Sequence, residues 1–359
     1  MRIATVCSAH GFGHVTRQLV LADALAARGA EVTLYSAAPA TLLAGVRHAL
    51  VPWVADVGIA QRDSLTEDLP GTLLRLETVA SDAAIDALAG ALAGYDRVIV
   101  DIAPPALEAA RRAGVPAFAV GNFDWAWIYR HYPALSTWAE RFAAWQAPHP
   151  ALSLAPGPGL SGFTRVEPFG VVGRRAADTG GSPVGRRAAD TGDGPVRRSS
   201  GPVDRPTVDL GPDGTHPRRA RTVLVCFGGF GLEGIDRWLP RIDGVTWVLA
   251  PPMARVDRPD VRWVADVPFP ALVAGADALL TKPGYGIYAE AALAGTPLVW
   301  VDRGVFPEAP WLEAAMWARG DVKVEGVDVA AAVDRRLATP RPAPVASDAA
   351  ERLAERILR

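Results

Sequence analysis

The chain of 359 residues is poor in cysteine, lysine and long apolar runs, and each shortage excludes something. Its two cysteines, Cys7 and Cys226, lie far apart, each inside an apolar strand-like run, so their spacing builds neither a zinc site nor a redox pair. A reduced, cytoplasmic setting is the expectation. No apolar stretch reaches the roughly 18 residues of a membrane-spanning helix, and the opening MRIATVCSA lacks the basic-then-apolar pattern of a secretory leader. Charge of neither sign dominates: Lys+Arg 37 against Asp+Glu 39 leaves −2, which excludes a global attraction to nucleic acid or anionic membrane. Only Lys282 and Lys323 among the basic residues are lysines.

What is present is ample core material, 50% hydrophobic, in a length that suits about two domains. ATVCSA reads as a buried strand, TRQLVLADALAARG as a helix closed by Gly29, AEVTLYSA as a second strand, and RVIVD as a later one ending at Asp101. ALEAARRAG and VPAFAVG continue the alternation, the mark of a parallel sheet with crossover helices. It stops near residue 170. VGRRAADTG stands at 172 to 180 and again at 184 to 192, followed by a Pro, Gly, Ser, Arg and Asp-rich run with too little apolar surface to fold. TVLVCFGGFG then restarts the pattern. The expected division is an N-terminal Rossmann-like domain (1–170), a disordered linker (171–220), a C-terminal Rossmann-like domain (221–340), and a helix (341–359) packing back on the first. Open sheets of this class bind ligands at the carboxyl ends of their strands.

Three glycine-rich turns follow predicted strands: HGFGH (10–14), FGGFG (227–231) and KPGYG (282–286). Glycine lets backbone N–H groups approach a ligand closely, and a following helix N-terminus suits phosphate. A dinucleotide fingerprint fails, because Thr16 stands where its third glycine belongs and AEVTLYSAAP ends without an acid. The Walker spacing is absent, and so is any D-x-D metal grip. A metal-independent diphosphate site remains: Lys282 with the amides of Gly284 and Gly286, opposite Gly229 to Gly231. Glu290, one turn into the next helix, is the candidate acceptor for a ribose diol, unless it is only a solvated charge.

KPGYGIYAEAALAGTPLVWVDRGVFPE resembles the donor segment of GT-B glycosyltransferases. With AHGFGHVTRQLVLADALAARG, DIAPPALEAARRAGVPAFAVGNFDWAWIY and VCFGGFG, it is most similar to the glycosyltransferase-like domain at the front of plant-type arabinokinases and to stand-alone bacterial relatives. The resemblance covers most of residues 1–170 and 221–320. It implies an α/β chain of GT-B architecture, two Rossmann-like domains facing across a cleft. Sugar phosphorylation is not implied, because the kinase half of the fused proteins has no counterpart here. The donor side implied is Gly228, Gly229, Phe230 and Gly231 with Lys282, Gly284, Tyr285 and Gly286 around the diphosphate. Glu290 then sits at the ribose, Val264 at the base, and the loop from Asp302 to Glu308 near sugar or phosphates, with Arg303 a further cation for the leaving group.

On the acceptor side stand His10, Gly11, Phe12 and Gly13, with His14 facing the bound sugar and acceptor. His14 is a candidate general base, a donor-binding group, or a loop residue; His10 orders the loop, and Asp101 is the alternative base. Residues 121 to 146 hold eight of the 27 aromatics. Asp124, Trp125 and Tyr129 are read as acceptor-side, Trp138 and Trp145 as core. The expected reaction moves a sugar from a nucleoside-diphosphate sugar, as co-substrate without metal or cofactor, to a small-molecule or lipid-linked acceptor. Homodimerisation and peripheral membrane contact are compatible with the sequence, and nucleic acid is not an expected partner. An epimerase or hydrolase using the same cleft, and a non-catalytic nucleotide-sugar sensor that works with a partner, stay open.

Overall fold

The computed structural model describes residues 1–8, 11–43, 46–62, 66–179, 220–229, 231–232 and 234–359. The first half forms a seven-stranded parallel sheet from β1 (Arg2–Cys7), β2 (Glu31–Tyr35), β3 (Ala49–Val51), β4 (Arg97–Asp101), β5 (Ala117–Gly121), β6 (Pro150–Leu154) and β7 (Arg165–Phe169), in the order β3-β2-β1-β4-β5-β6-β7. The second half forms a six-stranded parallel sheet from β8 (Arg221–Cys226), β9 (Val245–Leu249), β10 (Val261–Trp263), β11 (Ala278–Thr281), β12 (Leu298–Trp300) and β13 (Val322–Lys323), in the order β10-β9-β8-β11-β12-β13. Central strands such as β5 and β11 are buried along their whole length, as a sheet covered by helices on both faces requires.

In each sheet the strand order reverses once, between β1 and β4 and between β8 and β11. The two reversal points face one another. The helix after β1 (Phe12–Ala26) and the helix after β11 (Tyr285–Ala294) meet at their first turns. A methyl group added at Gly286 would lie 2.7 Å from Gly13 Cα, and one at Gly13 would lie 3.1 Å from the Gly286 nitrogen. Only two glycines let these backbones touch. Gly229 serves the same end differently: a Cβ there would stand 2.7 Å from the Phe12 ring. The glycines read from sequence as ligand-facing turns are thus also packing surfaces between the halves.

The chain crosses between halves beside this contact. Val171 and Val172 are buried, and the Val172 N–H donates to Tyr285 Oη at 3.0 Å. The expected linker start at 171 therefore falls on packed residues, because this apolar pair joins the core under the Tyr285–Ala294 helix. Residues 180–219, with the second copy of the repeat, lie outside the described residues. At the C-terminus the helix Ala349–Leu358 returns to the first half and buries Leu353, Ala354 and Ile357 with Leu21 and Leu25. Ion pairs of Arg28 with Glu355 (3.1 Å) and Arg356 with Glu167 (2.8 Å) flank that seam and, at this exposure, add little. Among the described residues no helix is long and apolar enough to cross a membrane.

Gly286→Ala is expected to force the halves apart at their tightest point and to cost about 1–3 kcal/mol, read as a lower midpoint in denaturant unfolding. Gly90→Ala, on an exposed helix face with nothing within 4 Å of the new methyl, is the control and should be neutral or stabilising. Equal effects from the two substitutions would contradict the contact.

Candidate functional site

A cleft of about 1050 Å³ runs between the reversal points. The ends of β1 and β4 supply one polar wall. His14, in the first turn of the Phe12–Ala26 helix, places Nδ1 2.8 Å from Asp101 Oδ1 at the end of β4. Asp101 is fully buried and takes further donors: Arg17 Nε at 2.6 Å and Nη2 at 2.5 Å, and Gln18 Nε2 at 3.0 Å. Burial by itself would raise this carboxyl, but the Arg17 guanidinium, then His14, outweigh it and hold Asp101 at about 2.

That charge state decides the imidazole tautomer. An ionised carboxylate only accepts, so His14 Nδ1 must carry the hydrogen and donate it. Arg17 Nη2, 2.9 Å from Nδ1, also only donates, so both groups share Asp101 Oδ1 rather than bond to each other. Neutral His14 is left with a bare Nε2, a proton acceptor on the ring edge away from Asp101, and His14 lines the cleft.

The network continues across the cleft. Arg17 Nη1 donates to Asn122 Oδ1 at 2.7 Å, and Asn122 Nδ2 donates to Glu308 Oε1 of the second half at 2.7 Å. Arg303 donates to Glu308 Oε2 at 3.2 Å and to the Pro283 carbonyl at 3.1 Å, with its guanidinium 3.8 Å from the Phe306 ring centroid. Arg17 also stands over the Tyr285 ring at 5.0 Å. Sequence reasoning missed Arg17 and Asn122. The signal was present: Arg17 follows His14 by three helical positions, which puts both on one face, and Asn122 sits at the carboxyl end of β5, where ligands collect.

Of the donor-side candidates, Gly228, Gly229, Val264, Lys282, Gly284, Tyr285, Gly286, Glu290, Arg303 and Glu308 line the cleft. Gly231 turns instead toward the Pro252 carbonyl, 3.1 Å from an added Cβ. Val264 has already donated its N–H to the Leu249 carbonyl at 2.8 Å, which leaves only its carbonyl for a base. Glu290 is 4% exposed and ion-paired with Arg174 at 2.6 Å, so the solvated-charge reading of it fails. Burial raises its carboxyl and Arg174 opposes the rise. Burial likewise lifts the Cys226 thiol to about 11 and raises Cys7, so both are protonated thiols at neutral pH.

On the acceptor side Gly11, Phe12, Gly13 and His14 line the cleft, whereas three expected residues do not. Asp124 is fully buried and caps a helix, accepting from the Trp127 and Gly162 N–H groups at 2.8 and 3.0 Å. Trp125 is fully buried, its Nε1 donating to Asp56 Oδ2 at 2.7 Å, and Tyr129 stacks on Phe142 while donating to the Gly58 carbonyl. These rings found partners for their polar edges inside the core, which their sequence pattern does not reveal. Trp138 is buried in the same cluster and Trp145 packs against it. Asp101 has no face on the cleft and reaches it through His14 and Arg17, both of which line it. His10 and Phe230 lie outside the described residues. Among the described residues no three His, Cys, Asp or Glu side chains group as a metal site.

Two helix N-termini in contact bring like partial charges together at the cleft, an arrangement that an anion stabilises. No family model matches the chain. It is 27% identical over 316 residues to the L-arabinokinase of Arabidopsis thaliana, covering 84% of this chain and 28% of that protein, so it spans under a third of that relative. Among solved structures it is similar to Arabidopsis thaliana UGT89C1 complexed with UDP (TM-score 0.61, 12% identity, 99% of this chain and 94% of that one). It is also similar to the glycosyltransferase VinC in complex with DTDP (TM-score 0.54, 18% identity, 99% and 94%). The chain has the GT-B glycosyltransferase fold.

The ionised Asp101 carries a pH signature. Its folded value of about 2 lies below the ordinary 3.8, so its contribution, on the order of 2 kcal/mol, is complete above about pH 4 and is lost as pH falls through about 2. The stability difference between the parent chain and Asp101→Asn, measured by denaturant unfolding, should shrink as pH drops over that window. A constant difference would show that Asp101 is not held ionised by its partners.

Proposed function

We propose that the chain is a glycosyltransferase that moves a sugar from a nucleoside-diphosphate sugar to a hydroxyl acceptor, with His14 as general base. The observation that carries this reading is the His14–Asp101 pair at 2.8 Å, with the imidazole on the cleft and the carboxylate buried behind it. In the reaction the acceptor hydroxyl gives its proton to His14 Nε2 while its oxygen attacks the anomeric carbon. The bond from that carbon to the diphosphate breaks, and its electron pair leaves on the diphosphate. Asp101 orients the ring and stabilises the imidazolium, as in other His-carboxylate pairs. A single displacement of this kind inverts the anomeric centre.

The leaving diphosphate needs positive groups fixed in advance. Lys282 and the amides of Gly284, Gly286, Gly228 and Gly229 are the groups proposed, with the two helix N-termini behind them. Arg303 is a further cation, and its bond to Glu308 directs it. Glu290 is proposed at the ribose. The UDP and DTDP complexes of structural neighbours support a nucleoside diphosphate as the ligand class. No metal or cofactor enters this scheme.

His14→Ala should lower kcat by about 10²- to 10⁴-fold while leaving the dissociation constant of the nucleoside diphosphate within about twofold. Asp101→Asn, which removes the partner that fixes the tautomer, should do the same. Turnover of a donor-acceptor pair and calorimetric binding, measured on each variant, check both statements. Equal losses in kcat and affinity would make His14 a binding group. Donor consumption without acceptor would favour the hydrolase or epimerase alternative, and tight binding with no turnover the sensor.

A further inference from the structure

Arg174 belongs to the crossing segment, not to either sheet, yet it reaches into the donor side of the cleft. Its Nε donates to Glu290 Oε1 at 2.6 Å, with the two side chains 22% and 4% exposed. The backbone around it is fixed from three directions. A Cβ on Gly173 would stand 2.9 Å from the Ala289 methyl, the Val172 N–H is held by Tyr285 Oη at 3.0 Å, and Arg175 Nη2 donates to the Ser347 carbonyl at 2.6 Å. Among the described residues Glu290 Oε2 has no hydrogen-bond donor, and both Arg174 and Glu290 line the cleft.

We infer that Arg174 is a positioning residue for nucleotide binding: it holds one oxygen of Glu290 and so presents the other to a ribose hydroxyl. This rests on the nucleoside-diphosphate reading of the cleft. The groups that act on Glu290 are Arg174 and the Cys226 thiol, and Lys282 lines the same cleft. Burial favours the neutral carboxyl, and Arg174 is the partner that opposes it. A neutral carboxyl loses acceptor strength toward a diol, so ribose recognition weakens without Arg174. The crossing segment thereby enters the nucleotide site directly.

The test uses the full chain and calorimetry. UDP, GDP, ADP, CDP and dTDP are titrated first, and the tightest is compared with its 2′,3′-dideoxy form at several pH values, for the parent, Arg174→Gln, Arg174→Lys and Glu290→Gln. Arg174→Gln should weaken the ribonucleotide about tenfold and leave the dideoxy form unchanged. In that variant the ribo-to-dideoxy affinity ratio should climb with pH as Glu290 ionises, over a range above that of the parent, and Arg174→Lys should restore part of it. In a Glu290→Gln background the Arg174 substitution should change the ratio no further. Equal losses for ribo and dideoxy forms would overturn the inference, because Arg174 would then be serving the phosphates or the crossing alone. A parent chain that binds none of the five, with its unfolding transition intact, would remove the donor-site reading itself and the inference with it. Unfolding of Arg174→Gln leaves Arg174→Lys, whose displaced pH profile decides the same point.

Discussion

A carboxylate cut off from water survives only if donors replace its hydration, and Asp101 has four, from three side chains. The polar network of His14, Arg17, Asn122 and Glu308 hangs on that solution. The Arg17 guanidinium that neutralises Asp101 has a third nitrogen to satisfy, and gives it to Asn122, which reaches Glu308 in the other half. The same carboxylate makes one imidazole nitrogen of His14 a donor and leaves the other an acceptor. One buried charge thus sets the tautomer of His14 and also ties the first half's wall of the cleft to the second half's loop.

The backbone supports this from beneath. A polar bridge of 2.7 Å bonds between two halves needs those halves at a fixed separation, and the Gly13–Gly286 contact sets it. Because that contact joins the N-termini of two helices, the same feature that fixes the spacing also places positive potential where a diphosphate would leave. The returning C-terminal helix and the Val171-Val172 crossing close the far side with apolar surface, so the seam is packed on one edge and polar at the cleft.

Much of the architecture was legible in the sequence because strand and helix periods differ and glycine turns sit where they change. The site was legible only in part. His14, Lys282 and Glu290 stand out because each lies in or just after a glycine turn, and the structure brings all three to one cleft. The aromatic cluster misled for a physical reason: Asp124, Trp125 and Tyr129 look like recognition residues, but their polar atoms are satisfied by Gly162, Asp56 and Gly58, partners scores of residues away in sequence for the two rings. Arg17 was overlooked because an arginine on a helix is ordinarily solvated, and only the arrival of Asp101 from β4 makes burial tolerable. The linker's start was misplaced because Val171 and Val172 are packed by distant helix residues that composition does not report.

The claim at the centre of this account is that Asp101 fixes His14 as the Nδ1–H tautomer with Nε2 bare. Nitrogen-15 NMR of the imidazole, recorded on the chain labelled at histidine and assigned with His14→Ala, reads this directly. The account predicts that neutral His14 carries its proton on Nδ1, and that Asp101→Asn disturbs this preference. A proton found on Nε2, with Nδ1 accepting from Arg17, would leave no base facing the cleft and would contradict it.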